Sequence, residues 1–203
     1  MRHIRLHTER YVFASQFVKD KVVLDVACGS GYGSNHMMKK GAYMVVGGDV
    51  SKEAIRDAIR FYRGERAYYL ILDAQRLPFK NNSFDIVVCF ETIEHLHRYE
   101  DFIKEIKRIL KTNGVFICST PNKAAHTKRS PYHVHEFTID EFRSLLEKYF
   151  KDVTLYGYYP LLKKDQLKGN VESLISMCLA HGKEAQFNLF CLRNVIIPKR
   201  RQK

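Results

Sequence analysis

A run of apolar residues followed by three alternating glycines constrains this chain more than any other feature. The run begins at Val22 and reads V-V-L-D-V-A-C-G-S-G-Y-G up to Gly33. Its apolar part predicts a buried strand, and the glycines predict a tight turn that opens a helix. Glycine lets a ligand lie against the backbone, and the free N–H groups at the start of the next helix attract polar or anionic groups. The stretch therefore predicts a site for an adenosine-type cofactor.

The glycine spacing distinguishes between cofactors. A dinucleotide fingerprint reads G-x-G-x-x-G and a P-loop continues into Gly-Lys-Ser/Thr, whereas here the third glycine comes one residue early and no such lysine follows. An acid, Asp25, lies four residues before the first glycine. The pattern D-V-A-C-G-S-G-Y-G resembles the first motif of the class I S-adenosylmethionine-dependent methyltransferases. The resemblance implies that Asp25, Ala27, Gly29 and Gly31 surround the methionine end of that cofactor.

Two further acids follow the next predicted strands. Asp49 ends the second strand, where an acid can accept hydrogen bonds from both ribose hydroxyls. The alternative is that Asp49 only starts a turn before Ser51, a good N-cap for the following helix. After the third strand, D-A-x-x-L-P-F resembles the adenine-binding corner of the same family, which implies cofactor contacts for Asp73 and Ala74.

Alternating strands and helices predict an α/β, Rossmann-like architecture. The apolar run 86–90 predicts a central parallel strand covered on both faces, and the resemblance implies a seven-stranded, mostly parallel sheet with a C-terminal antiparallel strand. A helix is predicted over 8–18, before the first strand. In similar small methyltransferases such a helix closes over the cofactor, which implies a role for Tyr11. Towards the C-terminus we predict a helix over 171–180 and a last strand over 187–197.

Composition bounds the class of protein. With 203 residues, 45% of them hydrophobic, the chain predicts one domain over 1–198 with a basic tail at 199–203. Cys28, Cys89 and Cys118 fall within or beside apolar runs, so we interpret them as buried free thiols. With no stretch that predicts a membrane span or signal peptide, we expect a cytoplasmic protein. The net charge of +12 suggests an anionic partner, but the basic residues are spread along the chain, which weakens that inference.

A second group of candidate residues follows the fourth strand. If E-T-I-E-H begins a helix, Glu91, Glu94 and His95 share one face. Two carboxylates and an imidazole could bind a divalent cation, or could serve as general base and orienting acids. A later loop adds His133 and His135, which lie on one side if the backbone is extended.

The motif E-T-I-E-H, combined with S-T-P-N and H-E-F further on, resembles the metal-dependent small-RNA 2′-O-methyltransferases. The shorter E-x-x-E-H also occurs in quinone-pathway O-methyltransferases. This resemblance implies a magnesium, manganese or zinc site at Glu91, Glu94, His95 and His135, with His133 as a substitute. The alternative is that the group only shapes the pocket, in which case His95 is the candidate base.

Together these observations predict a methyltransferase directed at oxygen, because a hydroxyl is a poor nucleophile until it is deprotonated and the Glu/His group can remove that proton. The expected acceptor is a small molecule or glycan, since no additional recognition domain is evident. RNA is the alternative acceptor, supported by the net charge. A protein that binds S-adenosylmethionine without catalysis and a nicotinamide-dependent reductase are two further alternatives.

Overall fold

The computed structural model describes residues 2–125, 130–158 and 175–181 of the chain. Five α-helices lie within these residues, namely α1 (Arg2–Ala14), α2 (Tyr32–Lys39), α3 (Lys52–Tyr62), α4 (Tyr99–Ile109) and α5 (Ile139–Glu147). The strands are β1 (Val22–Val26), β2 (Met44–Asp49), β3 (Ala67–Ile71), β4 (Phe84–Phe90), β5 (Leu110–Pro121), β6 (Asp152–Tyr158) and β7 (Ile175–His181). The predicted α/β, Rossmann-like architecture is therefore confirmed.

The strands form one sheet in the order β3-β2-β1-β4-β5-β7-β6. The pairs from β3 to β5 are all parallel, whereas β7 runs antiparallel to both β5 and β6. From β1 the chain proceeds outwards to β2 and β3, and it then returns to place β4 on the other side of β1. This reversal between β1 and β4 creates the crevice in which open α/β sheets bind ligands.

Helices cover both faces of the sheet, because alternate strand residues point to opposite sides. On one face, α4 and α5 contribute the fully buried rings Phe102 and Phe142. On the other face, α1 and α2 contribute Tyr11, Phe13 and Met37. Truncating a buried phenylalanine such as Phe102 to alanine is expected to cost about 3–5 kcal/mol. These two packed layers hold the strand ends, and hence the site, in place.

Three predicted helical segments differ in the structure. The predicted helix over 171–180 is wrong, because residues 175–181 form β7; a short apolar run does not distinguish the two structures, and pairing with both neighbours decides for a strand. The predicted strand over 187–197 lies outside the described residues. The helix predicted over 8–18 ends earlier, because α1 spans Arg2–Ala14 and residues 15–17 form a turn.

The third difference follows β4. Residues after Glu91 form a single 3-10 turn over Ile93–His95 rather than an α-helix. Glu91 itself has a left-handed backbone with a φ of 50°, which turns the chain sharply as it leaves the strand.

In the described residues, no helix combines the length and the apolar character that a bilayer span requires.

Candidate functional site

The glycine turn after β1 rests on a buried carboxylate. Asp25 is fully buried and accepts hydrogen bonds from Tyr11 Oη at 3.1 Å and from Ser34 Oγ at 2.6 Å. Burial raises the pKa of Asp25 to about 7, although both hydrogen bonds oppose the rise. Asp25 thus ties α1 and α2 to the strand, and the structure places it behind the turn.

The turn itself alternates left-handed residues. Ala27, Gly29 and Gly31 have φ values of 59°, 54° and 82°, a conformation that costs an L-residue about 1–2 kcal/mol and glycine almost nothing. A Cβ on Gly31 would lie 2.7 Å from the Cβ of Ala58, whereas a Cβ on Gly29 would meet nothing within 4 Å. Gly31 is therefore required for packing, and Gly29 leaves open space beside the backbone.

Asp49 lies directly against this turn. Its Oδ2 accepts a hydrogen bond from the Gly29 backbone N–H at 2.9 Å, and its Oδ1 accepts one from the Ser51 N–H at 2.8 Å. Ser51 also caps α3, since its Oγ accepts from the N–H of Ala54. Asp49 thus starts the turn, as the alternative interpretation held, and its carboxylate also lies at the glycine turn.

The predicted adenine corner follows β3. Asp73 is exposed, and its Oδ1 accepts a hydrogen bond from the Gln75 N–H at 2.8 Å. Ala74 is half-buried beside it. Both residues lie at the same carboxyl edge of the sheet as the glycine turn and Asp49.

Tyr11 packs against the glycine turn. Its ring lies against Gly33 so closely that a Cβ there would overlap it, and it contacts Tyr32 and Phe90 edge-on, with centroids 5.4 and 5.0 Å apart. With its hydroxyl bound to Asp25, Tyr11 contributes to the shape of the turn.

Glu91, predicted to be catalytic or metal-binding, is engaged by two side chains. Its Oε1 accepts a hydrogen bond from Ser119 Oγ at 2.7 Å, and its Oε2 lies 3.2 Å from Arg10 Nη2. Sequence analysis missed Arg10. The available signal was its place on the buried stripe of α1, three and four residues before Phe13 and Ala14.

Glu94 is the buried acid of the group, with 1% of its surface exposed. Its Oε2 accepts a hydrogen bond from Thr120 Oγ1 at 3.0 Å, and its Oε1 has no partner among the described residues. Burial, reinforced by the nearby Glu91, raises the pKa of Glu94 to about 8. Its backbone carbonyl accepts from Val134 N–H and His135 N–H, which anchors the loop that carries the histidines.

His95 and His133 lie together at this loop. His95 Nδ1 is 2.8 Å from the carbonyl oxygen of Tyr132, and His133 Nδ1 is 2.7 Å from Glu136 Oε1. The two rings meet edge-on with centroids 5.0 Å apart. Among the described residues, Glu94, His95 and His133 each offer a ligand atom, and these three atoms lie within 4.8 Å of one another.

This trio differs at two positions from the set that the sequence predicted. The His135 ring contacts Phe137 and Tyr99, with centroids 4.4 and 5.2 Å apart, so His133 takes the place predicted for His135. Glu91 is held by Ser119 and Arg10 outside the trio. The residues that do converge can supply one carboxylate and two imidazoles.

Comparison with known proteins shows similarity to methyltransferases. Residues 24–118 match the family model described as "Methyltransferase domain". A Mycobacterium tuberculosis protein named as a probable S-adenosylmethionine-dependent methyltransferase is 32% identical over 143 residues, covering 68% of this chain and 51% of the relative. The ubiquinone biosynthesis O-methyltransferase of Pelagibacter ubique is 35% identical over 109 residues, covering 52% of this chain and 44% of the relative. The chain thus spans about half the length of these curated relatives.

Solved structures agree on the fold. A proposed methyltransferase in complex with the Trm112 methyltransferase activator of Haloferax volcanii superposes with a TM-score of 0.70 at 18% identity, over 88% of this chain and 91% of that one. The YcgJ protein of Bacillus subtilis superposes with a TM-score of 0.68 at 18% identity, over 88% of this chain and 100% of that one. The sequence matches thus show that residues 24–118 are similar to a methyltransferase domain, and the solved structures show that the chain shares their fold.

Proposed function

We propose that the chain is an S-adenosylmethionine-dependent methyltransferase that acts on a hydroxyl group of a small molecule or glycan. When bound, S-adenosylmethionine supplies a methyl group already activated on a sulfonium. The protein then has to bind the cofactor, orient the acceptor and remove a proton. One observation carries the choice of oxygen: His95, with its ring oriented by the Tyr132 carbonyl, lies in the turn after β4, the strand that pairs with β1 before the glycine turn.

The proposed cofactor residues are those of the turn and its neighbours. Gly29 provides the open backbone, Asp49 the ribose acceptor, and Asp73 with Ala74 the adenine contacts. The roles of Asp25, Ala27, Gly31 and Tyr11 in this proposal are to shape the turn that receives the methionine end. This fits the structure's burial of Asp25 and Tyr11 and the left-handed backbone at Ala27 and Gly31.

His95 is the proposed base. The carbonyl of Tyr132 accepts a hydrogen bond from the Nδ1–H of His95, which leaves the Nε2 lone pair to accept a proton. Glu94, with its unpartnered Oε1, can orient the acceptor hydroxyl or take over the proton. An amine acceptor would need less assistance, so this pair favours oxygen over nitrogen.

Methyl transfer to a panel of acceptors tests the proposal. We expect the protein with S-adenosylmethionine to methylate at least one phenol, catechol or oligosaccharide, with the new methyl on oxygen by NMR of the product. Transfer to nitrogen or carbon alone would contradict the oxygen assignment. Cofactor binding without transfer to any acceptor in a broad panel would favour a binding protein without catalysis.

RNA is a second candidate acceptor because of one basic groove. A groove of about 490 Å³ beside α4 is lined by Arg76, Arg98, Lys104 and Arg108, with two acids. We also propose that 1–198 form one domain and that the basic tail at 199–203 is dispensable for methyl transfer to a small-molecule acceptor. If RNA is the acceptor, RNA affinity should fall steeply as the salt concentration rises, and removing 199–203 should make that dependence less steep. RNA binding that does not depend on salt would exclude RNA as the acceptor.

A divalent cation at Glu94, His95 and His133 is the alternative to His95 as base, because a bound ion would occupy the ring nitrogen that a base needs. The residues fit such an ion, because each histidine has its Nδ1 hydrogen-bonded to an oxygen, as is usual when the other ring nitrogen binds a metal. Two imidazoles and one carboxylate suit manganese, iron or zinc better than magnesium. The ion would lower the pKa of the acceptor hydroxyl. Full activity in excess EDTA, with no metal detected, would leave His95 as the base.

A further inference from the structure

Basic and aromatic residues alternate in the segment that joins α3 to β3. Residues 60–69 read R-F-Y-R-G-E-R-A-Y-Y, with three arginines, one acid and four aromatic rings. Phe61 is 62% exposed and Tyr68 is 51% exposed. Tyr43, which precedes β2, is 56% exposed. Exposed rings that are grouped with arginines in this way indicate a surface that binds a partner.

A groove of about 370 Å³ lies between the end of α2, the end of α3 and the start of β3. Helix α3 starts beside Asp49, at the cap Ser51, and its 11 residues span about 16 Å. The groove is therefore at the edge of the sheet opposite to Asp49 and the glycine turn, and we call it the amino-edge groove. The residues that bear on its chemistry are Lys39, Phe61, Tyr62, Arg63, Glu65 and Arg66.

The charge of the amino-edge groove is positive. Its lining has three cations, Lys39, Arg63 and Arg66, and one acid, Glu65. All four residues are exposed. In the part of the chain that the structure describes, none of the four takes part in an ion pair. Such a groove attracts an anionic partner and repels a second copy of this basic chain.

Two pairs of an arginine and a ring extend this surface. The Cζ of Arg60 lies 5.2 Å from the centre of the Phe61 ring, and the Cζ of Arg66 lies 5.4 Å from the centre of the Tyr43 ring. Phe61 and Arg66 both line the groove, so the surface continues from the groove to Tyr43. A chain of linked anions can contact both pairs, whereas a single small anion reaches only one of them.

We propose that the amino-edge groove and Tyr43 bind single-stranded RNA. The arginines neutralise backbone phosphates, and the exposed rings stack on unpaired bases, whose faces are covered in a duplex. Glu65 favours RNA over DNA, because a carboxylate repels phosphates but accepts a hydrogen bond from the 2′-hydroxyl that only RNA has. A lipid surface fits less well, since it is flat and the groove is concave. The inference goes beyond the proposed function, because this groove lies away from methyl transfer and does not depend on the acceptor.

Fluorescence anisotropy with a labelled oligouridine of about 15 nucleotides tests the inference. We expect Phe61→Ala to weaken RNA binding about 5–100-fold, the effect of one lost base stack. Arg63→Met should make the salt dependence less steep, by about 0.7 in the logarithmic slope, which is the value for one phosphate on a single strand. Tyr132→Ala and Arg76→Met remove an exposed ring and an exposed arginine elsewhere. These two controls should change RNA affinity by less than about twofold.

The choice of RNA is tested with other polyanions. RNA should bind more tightly than oligothymidine of the same length, and Glu65→Ala should reduce that difference. Equal affinity for the DNA, or for polyglutamate of the same charge, would overturn the assignment to RNA. Binding to phosphatidylserine vesicles in place of RNA would overturn it in favour of a membrane surface.

The place of binding is tested by the variants. Absence of RNA binding by the unmodified chain would overturn the inference. Equal losses in Phe61→Ala and Tyr132→Ala would overturn it as well, because Tyr132 lies beside His95 on the acceptor side. Phe61→Ala should keep the affinity of the unmodified chain for S-adenosylhomocysteine. Absence of S-adenosylhomocysteine binding by the unmodified chain would contradict the proposed function and not this inference.

Discussion

The two sides of the strand crevice are built in different ways. On the side of β1 and β2, the site is mostly backbone: three left-handed residues in a run of five, with Asp49 hydrogen-bonded to the turn. On the side of β4 and β5, it consists of side chains brought together from separate segments, such as Glu94 with Thr120 and His95 with the loop at Tyr132. The first side is encoded locally, and the second depends on tertiary packing.

This difference indicates how each side can change. A binding site made of backbone atoms depends little on which side chains are present, so it suits a cofactor that does not differ between relatives. Side chains on a loop can be exchanged without rebuilding the sheet, so they suit an acceptor that differs between relatives. Among the relatives, one is named an O-methyltransferase of ubiquinone biosynthesis and another a norajmaline N-methyltransferase.

The largest expected effect distinguishes His95 from His135 on the side of β4 and β5. His95→Ala should lower turnover about 10²–10⁴-fold, the usual contribution of a general base, without changing affinity for S-adenosylhomocysteine. His135→Ala removes a ring that contacts Phe137 and Tyr99 and should change turnover less than about tenfold. Turnover rates of the two variants, measured with the acceptor identified in the panel, check this prediction. Similar losses of turnover in both variants would contradict the proposal that His95, and not His135, acts as the general base.

The next prediction concerns Asp25 on the cofactor side. Burial raises its folded-state pKa from the ordinary value of 3.8 to about 7, so the folded protein binds an additional proton between these values. That contribution to stability is complete below about pH 4 and is lost as the pH rises through 7. The free energy of unfolding should therefore fall by about 2–4 kcal/mol over this window because of Asp25.

Asp25→Asn cannot titrate, so its unfolding free energy, measured in urea from pH 4 to 8, should depend less steeply on pH. Some slope will remain, because burial also raises the pKa of Glu94. Identical slopes in the two proteins would show that Asp25 is not a buried titrating group.

Asp49→Ala tests the cofactor side by binding. We expect affinity for S-adenosylhomocysteine to fall by about 1.5–3 kcal/mol, since a charged hydrogen-bond acceptor is lost, while the protein stays folded. Asp140→Ala removes an exposed carboxylate in the first turn of α5 and serves as the control by calorimetry. Full affinity in Asp49→Ala would remove the ribose assignment.

The smallest expected effects compare two turn residues with the same backbone. Gly29→Ala should destabilise the fold by about 1–2 kcal/mol, because its φ of 54° is unfavourable for an L-residue even though space is open. Ala27→Gly relieves the same strain and should be neutral or stabilising by less than about 1 kcal/mol, because glycine also adds entropy to the unfolded chain. Urea unfolding checks both. A large loss in Ala27→Gly would mean that the Ala27 methyl group is needed for packing.

The same contrast explains what could be predicted from the sequence. The glycine turn, Asp49 and Asp73 lie within or next to their own strands, so strand and turn patterns were sufficient to place them. Choosing between His133 and His135 required the loop conformation: the His133 N–H donates to the Ser130 carbonyl in a turn, so the extended backbone that was assumed does not hold there.

Tertiary packing also decided two other features. Arg10 was missed because its buried place depends on a contact with Glu91, which lies 81 positions further along the chain. The helix predicted over 171–180 is wrong because β7, over residues 175–181, forms through its pairing with β5 and β6. Partners distant in sequence leave no local pattern.

Calorimetry of the unmodified chain with S-adenosylhomocysteine, alongside NAD, tests the central claim most directly. The account predicts binding of S-adenosylhomocysteine at one site with a Kd of about 1–100 μM, corresponding to about −8 to −5.5 kcal/mol, and no heat with NAD. Binding of NAD but not of S-adenosylhomocysteine would contradict it, and would show that the glycine turn belongs to a dinucleotide-binding protein.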